Sequence, residues 1–233
     1  MTGTGLSERI EGIMKALSRR YRVGAFPGKG KGMAISQQMR DPFRVLISTI
    51  LSHRTQDENT NRASSSLFEY YPTPEALASA DVREIEKLIR PSGFYKTKAG
   101  NVKRVASMLV EEHGGKVPED LETLLTLPSV GRKTANCVLV YAFGKPAIPV
   151  DTHVHRISNR LGLVETKNPD QTERALVEIV PEEFWLRLNE LLVKYGQDVC
   201  RPLAPFCYDC DISQFCVSYP LPNARRRDDN KKR

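Results

Sequence analysis

Leu127-Pro128-Ser129-Val130-Gly131-Arg132-Lys133-Thr134-Ala135-Asn136 is the stretch on which the reading of this chain turns. Before it, Leu121, Leu124 and Leu125 recur at helical spacing; after it, Ala135, Val138 and Leu139 do the same as far as Gly144. Two helices joined by Leu-Pro-Ser-Val-Gly make a helix-hairpin-helix, near 121–142. Pro128 fixes one backbone angle, and Gly131 is expected to let the chain turn sharply and come close to a ligand. The second helix would then open with unpaired N–H groups and the positive end of its dipole, which together suit a phosphate. Such a grip holds nucleic acid without reading its sequence. Alone, the connection is equally an ordinary helix–helix joint. Arg132, Lys133 and Thr134 directly afterwards tip the balance, because each can serve a phosphate or a reacting sugar.

The helical period extends outward in both directions. Ser7 can cap a helix with Ile10, Ile13, Met14, Leu17 and Tyr21 on one face, and Gly24–Gly32 reads as a flexible loop. Asp41-Pro42 is an N-cap followed by proline, opening a helix that presents Phe43, Leu46, Ile47, Ile50 and Leu51. Thr55-x-x-Glu58 has the form of a capping box. Thr73-Pro74 and Asp81 open two short helices, and Gly93–Lys96 is a turn before a long helix stopped by Gly114-Gly115. A last long helix is expected from Pro181 to Gly196. No alternating hairpin of strands is found, so the fold class is all-α.

Lys133 falls in the first turn of its helix, where the dipole opposes a cation and favours the neutral amine. A neutral amine can attack a sugar C1′ and form a Schiff base; the plainer reading is a phosphate-binding or solvated lysine. Asp151, in Ile148-Pro149-Val150-Asp151-Thr152-His153, is a good N-cap by itself. It is also a carboxylate able to stabilise cationic character on a sugar and move protons, and capping would hold it in place.

Cys200, Cys207, Cys210 and Cys216 are spaced C-x6-C-x2-C-x5-C. Four thiolates so crowded bind a metal. Zinc sites usually carry paired C-x2-C knuckles, and only Cys207 and Cys210 are so paired. The looser arrangement, with Pro202 and Pro205, can wrap a larger cluster, and an iron–sulfur cube needs four cysteines. The fifth cysteine, Cys137, sits on an apolar helical stretch and reads as core.

The 233 residues can bury one large core or two small ones. A net charge of +7 favours polyanion partners, though charge alone argues this weakly. Part of it lies in a basic tail, 219–233, expected to be disordered, with Arg225-Arg226-Arg227 and Lys231-Lys232-Arg233. No apolar run suits a bilayer and no secretory leader is evident, so the expected location is cytoplasmic, beside the nucleoid in a prokaryote.

Taken together, Leu127–Asn136, Ala142–Leu163 and the cysteine spacing resemble the endonuclease III branch of the helix-hairpin-helix (HhH-GPD) DNA glycosylases. The motifs stand in the family's order, with its eighteen-residue step from lysine to aspartate. Leu46–Ala63 and Gly93–Val102 also look like family segments, and the resemblance spans roughly residues 35–218. It implies two helical domains flanking a DNA-binding cleft: a six-helix barrel, 35–145, and a domain of 1–34 plus 146–218 holding a [4Fe-4S] cluster on the four cysteines. It implies that Lys133 is the Schiff-base nucleophile and Asp151 the catalytic carboxylate. The implied enzyme is a monomer that excises a damaged base, an oxidised pyrimidine by expectation, from double-stranded DNA. It then cuts the abasic site by β-elimination.

Where bacterial relatives carry a glutamine thought to fill the gap left by the flipped base, this chain has Arg54, with Gln56 as the alternative. The loop between Cys200 and Cys207 carries a single basic residue, Arg201. Leu127 through Arg132 are expected to meet phosphate. His53, His153 and His155 are assigned structural or phosphate-binding roles, with His153 beside DNA. Phe94 and Tyr95 could wedge into a duplex or pack in the core. Two rival functions are a monofunctional glycosylase for uracil or thymine opposite guanine, which usually lacks the lysine, and a non-catalytic DNA-binding redox protein.

Overall fold

The computed structural model describes residues 3–21 and 41–227. The loop expected at Gly24–Gly32 and the last basic cluster, Lys231-Lys232-Arg233, lie outside the described residues. Eleven α-helices and three 3-10 turns make up the described secondary structure, with no strand among the described residues. They fall into two compact units, Pro27–Pro149 and Met1–Phe26 with Val150–Arg233.

The first helix of the chain, α1, spans Gly3–Tyr21 and belongs to the second unit; the first unit carries α2 (Pro42–Leu51), α3 (Asp57–Tyr70), α4 (Pro74–Ser79), α5 (Val82–Leu88), α6 (Tyr95–His113), α7 (Leu121–Thr126) and α8 (Arg132–Tyr141). α2 packs against α3, α6 and α8. It buries Val45, Ser48 and Thr49 as well as the apolar residues expected, so it is enclosed nearly all round. α8 is buried from Thr134 to Tyr141. Burying a side chain such as Leu46 or Leu109, both fully enclosed, contributes about 1.5–3 kcal/mol. Asp41, Thr73 and Asp81 cap α2, α4 and α5 as expected, and Gly114 ends α6 in a left-handed conformation. Asp120, unremarked in the sequence, caps α7 through the Thr123 amide.

The capping box at Thr55 does not form. α3 starts at Asp57 with Gln56 at its N-cap, and no side chain caps it. The Thr55 hydroxyl is engaged elsewhere: it accepts from the Gly93 amide at 3.0 Å and from Lys98 Nζ at 2.9 Å.

The second unit carries α1 (Gly3–Tyr21), α9 (Thr152–Leu161), α10 (Pro169–Ile179) and α11 (Trp185–Asp198), with 3-10 turns at Glu182–Phe184, Cys207–Asp209 and Ser213–Phe215. α11 packs on α9 and on α1, and α10 packs on α9. α1 buries Ile10, Ile13, Met14 and Leu17, as its period requires. It runs from Gly3, so Ser7 lies inside it rather than capping it. Tyr21 is half-buried and its hydroxyl donates to Asp198 at 3.1 Å. α11 begins after the 3-10 turn rather than at Pro181, and it continues past Gly196. At Gly196 a Cβ would collide with the His153 ring, so this glycine makes room for a close contact rather than ending the helix. The described part of the basic tail is tied down. The Arg225 amide donates to Pro205 O at 2.9 Å, and Arg227 donates to Asp209 and Asp198 at 2.8 and 2.7 Å. No helix among the described residues is long and apolar enough to cross a membrane.

Candidate functional site

The hairpin between α7 and α8 is built by burial on one side and exposure on the other. Leu127 and Val130 are 2% and 6% exposed and anchor the turn, while Ser129 and Gly131 face solvent. A hydrogen bond from the Val130 amide to Leu127 O, 3.1 Å, closes it. The tight conformation falls on Ser129, with φ 61°, and not on Gly131, whose φ of −97° any residue can adopt. Asn101 Nδ2 holds the Ser129 hydroxyl at 2.6 Å. Gly131 contributes space instead: a Cβ there would meet nothing within 4 Å. It is the N-cap of α8 and offers no side chain to the first amides, leaving those donors available to an anion.

Lys133 follows in the first turn of α8, half-buried. Among the described residues its Nζ has neither a hydrogen-bond nor an ion-pair partner. Beside it, Thr134 is buried and its hydroxyl meets His53 Nε2 at 2.9 Å. Burial first, and then the charges of Lys133 and Lys98, push the His53 imidazole from its ordinary 6.5 down to about 4. His53 is therefore neutral at physiological pH, in agreement with a structural role.

Arg54 and Gln56 are exposed at the loop between α2 and α3. Arg54 has a left-handed backbone, φ 51°, and its guanidinium lies 5.0 Å from the centre of the Phe94 ring. Phe94 is itself left-handed, φ 58°, and 61% exposed, so it is not a core residue. Lys98, which the sequence did not single out, donates to residues close to each in the chain, His53 O at 2.6 Å and Ser92 Oγ at 2.8 Å.

In the second unit Asp151 caps α9. Its Oδ1 accepts from the His153 and Val154 amides, both at 2.9 Å, which fixes the carboxylate and leaves Oδ2 with no hydrogen bond among the described residues. His153 is half-buried against Gly196 and accepts from Arg156 at Nδ1, 3.1 Å. His155 bonds Thr172 at 2.6 Å. Both histidines are thus engaged in the fold.

The four cysteines carry no disulfide and are all part-exposed. Their sulfurs are served by hydrogen bonds: Tyr195 donates to Cys210 at 3.0 Å and Arg160 to Cys200 at 3.4 Å. Arg160 also donates to Arg201 O and Pro202 O, and Arg156 to Cys200 O, so α9 organises the loop. Burial pushes the Cys210 and Cys216 thiols up, and the neighbouring cysteines add to it. Four thiolates held together would need positive charge among them, as from a metal centre. No group of three His, Cys, Asp or Glu among the described residues is drawn together as a site for one metal ion.

A family model described as HhH-GPD superfamily base excision DNA repair protein matches residues 47–182. The chain is 52% identical over 179 residues to endonuclease III of Thermotoga maritima, covering 77% of this chain and 84% of that protein. It is 39% identical to endonuclease III of Escherichia coli over 175 residues, covering 75% and 83%. Among solved structures it resembles a trapped endonuclease III–DNA covalent intermediate, with a TM-score of 0.80, 32% identity, and 93% and 96% of the two chains covered.

Proposed function

This chain belongs to the HhH-GPD superfamily of base excision DNA repair proteins, in its endonuclease III family, and from that premise we propose how its residues carry the chemistry. The activity is that of a bifunctional DNA glycosylase and abasic-site lyase acting on oxidised pyrimidines. The observation that carries the assignment of the nucleophile is the half-buried Lys133 amine, which no described carboxylate holds.

In this reading the hairpin amides and Arg132 grip a phosphate, and open space at Gly131 admits the backbone. The damaged nucleotide leaves the stack, since its glycosidic bond is inaccessible within the duplex. The Lys133 nitrogen lone pair bonds C1′. The C1′–base bond breaks and the base departs with the electron pair, taking up a proton. Opening of the sugar gives an imine, which acidifies C2′; loss of a C2′ proton then expels the 3′ phosphate. To Asp151 we assign stabilisation of cationic character on the sugar. Its cap leaves one oxygen for that work. His153, which packs against Gly196 and accepts from Arg156, is assigned a place beside DNA.

Cys200, Cys207, Cys210 and Cys216 would hold a [4Fe-4S] cluster. The donor set fits: four thiols, with Tyr195 and Arg160 donating to sulfur. Held by these four cysteines, it would cross-link the loop 200–216. DNA is bound in two related structures, a trapped endonuclease III–DNA covalent intermediate and a non-covalent endonuclease III–DNA complex, and we infer double-stranded DNA as the partner of this chain.

The test is a panel of duplexes, each with a single lesion. Thymine glycol is expected to be released and its strand incised, and Lys133→Gln to lose both steps. Incision that persists in Lys133→Gln would refute the assignment. Preferred release of uracil or thymine opposite guanine would move the substrate to the mismatch class; a thermostable thymine-DNA glycosylase also shares the fold, with a TM-score of 0.79 at 25% identity.

A further inference from the structure

Lys98 has no place in the chemistry above, yet it is a buried cation without a counter-ion. It lies in the first turn of α6 and is 6% exposed. No described carboxylate pairs with it. Its Nζ donates instead to four oxygens: Leu51 O at 2.7 Å, His53 O at 2.6 Å, Thr55 Oγ1 at 2.9 Å and Ser92 Oγ at 2.8 Å. An ammonium has three protons, so the four contacts share them. Burial pushes the amine down to about 8, which shows what its position costs.

Those oxygens belong to two loops. Leu51 is the last residue of α2 and His53 and Thr55 follow it; Ser92 precedes α6. Further bonds join the same loops, from Ser92 Oγ to Leu51 O at 2.9 Å and from the Gly93 amide to Thr55 Oγ1 at 3.0 Å. Their backbones approach so closely that a Cβ on Gly93 would lie 2.9 Å from Arg54 O. Arg54 and Phe94 stand at the two tips, both left-handed, both exposed, and stacked on each other. Strain of this kind in two non-glycine residues persists only where the surroundings over-determine it, and the knot around Lys98 does so.

We propose that Lys98 is a positioning residue for nucleotide extrusion, its buried amine locking the two loops so that Arg54 and Phe94 meet double-stranded DNA as one preassembled pair. The proposal rests on the glycosylase reading above. An aromatic ring can part a base step while a guanidinium hydrogen-bonds the orphaned partner base. A pair already ordered before contact loses little freedom on insertion, so more of the contact energy goes into unstacking.

Lys98→Met and Gly93→Ala test it in the cluster-containing full chain. The first removes the tie; the second leaves the amine and forces the loops apart. The probe is a duplex with 2-aminopurine opposite a tetrahydrofuran abasic analogue, whose fluorescence reports unstacking. Single-turnover release of thymine glycol is measured at saturating enzyme, with borohydride trapping on single-stranded abasic DNA as the control for Lys133. Both variants are expected to lose the fluorescence rise and about tenfold or more in excision rate, with affinity for the duplex and single-strand trapping changed by less than about threefold. A normal rise and normal excision in Gly93→Ala overturns the proposal, including where Lys98→Met does not fold. So does a loss of single-strand trapping equal to the loss of excision, which would place the effect at Lys133. No trapping by the unsubstituted protein would instead overturn the nucleophile assignment and leave the fluorescence result to decide on Lys98.

Discussion

Acid should weaken this fold through His53, and Lys133 and Lys98 help to set how much. The ring is part-buried, bonded to Thr134, and held neutral by burial and by two nearby cations, so that it protonates near 4 instead of 6.5. Between those values the unfolded chain binds a proton that the folded chain refuses. Stability therefore rises with pH across the window and is lost as pH falls from 6.5 toward 4. A displacement from 6.5 to about 4 corresponds to roughly 3 kcal/mol at most, and about half that once water screening at a part-exposed ring is allowed for. The assay compares denaturant unfolding of the protein and of His53→Gln from pH 7 to pH 4. The amide can still bond Thr134 but does not titrate, and changes common to both proteins cancel in the difference. The variant should lose less stability on acidification, by about 1.5–3 kcal/mol. Parallel curves, or a ring titrating near 6.5 by NMR, would refute the reasoning.

Other substitutions separate structure from chemistry. Asp151→Asn keeps a good N-cap, so stability should change by under about 0.5 kcal/mol while thymine glycol excision collapses; Asp151→Ala should cost about 1 kcal/mol as well. Equal activity in Asp151→Asn would reduce the residue to its cap. Ser129→Gly relieves the left-handed turn but forfeits the Asn101 bond, so it should be close to neutral in thermal unfolding, whereas Ser129→Val should cost about 1–3 kcal/mol. Chelation of iron from the protein should bleach a brown chromophore and expose the loop 200–216 to protease; a colourless protein containing zinc after anaerobic purification would remove the cluster assignment.

Much of this was legible because local chemistry decided it. Asp41, Thr73, Asp81 and Asp151 cap their helices since each has a short acceptor side chain just before a helical run. Thr55 has the same kind of side chain and failed, because a lysine more than forty residues away and a glycine amide took its hydroxyl. Gly131 was expected to make the turn because it is the glycine; Ser129 makes it, with Asn101 holding the hydroxyl from α6. Lys98 gave no signal at all. A buried ammonium among carbonyls depends on where two loops meet, and that is a tertiary fact. The lysine, the aspartate and the four cysteines could be picked out by type and spacing.

In the proposed mechanism the Lys133 amine forms the covalent bond to deoxyribose. Borohydride reduction of the protein with an abasic duplex, followed by proteolysis and mass mapping, tests it most directly. The adduct is predicted on the peptide containing Lys133 and is predicted to vanish in Lys133→Gln. An adduct on any other lysine, or one undiminished by that substitution, would contradict the claim.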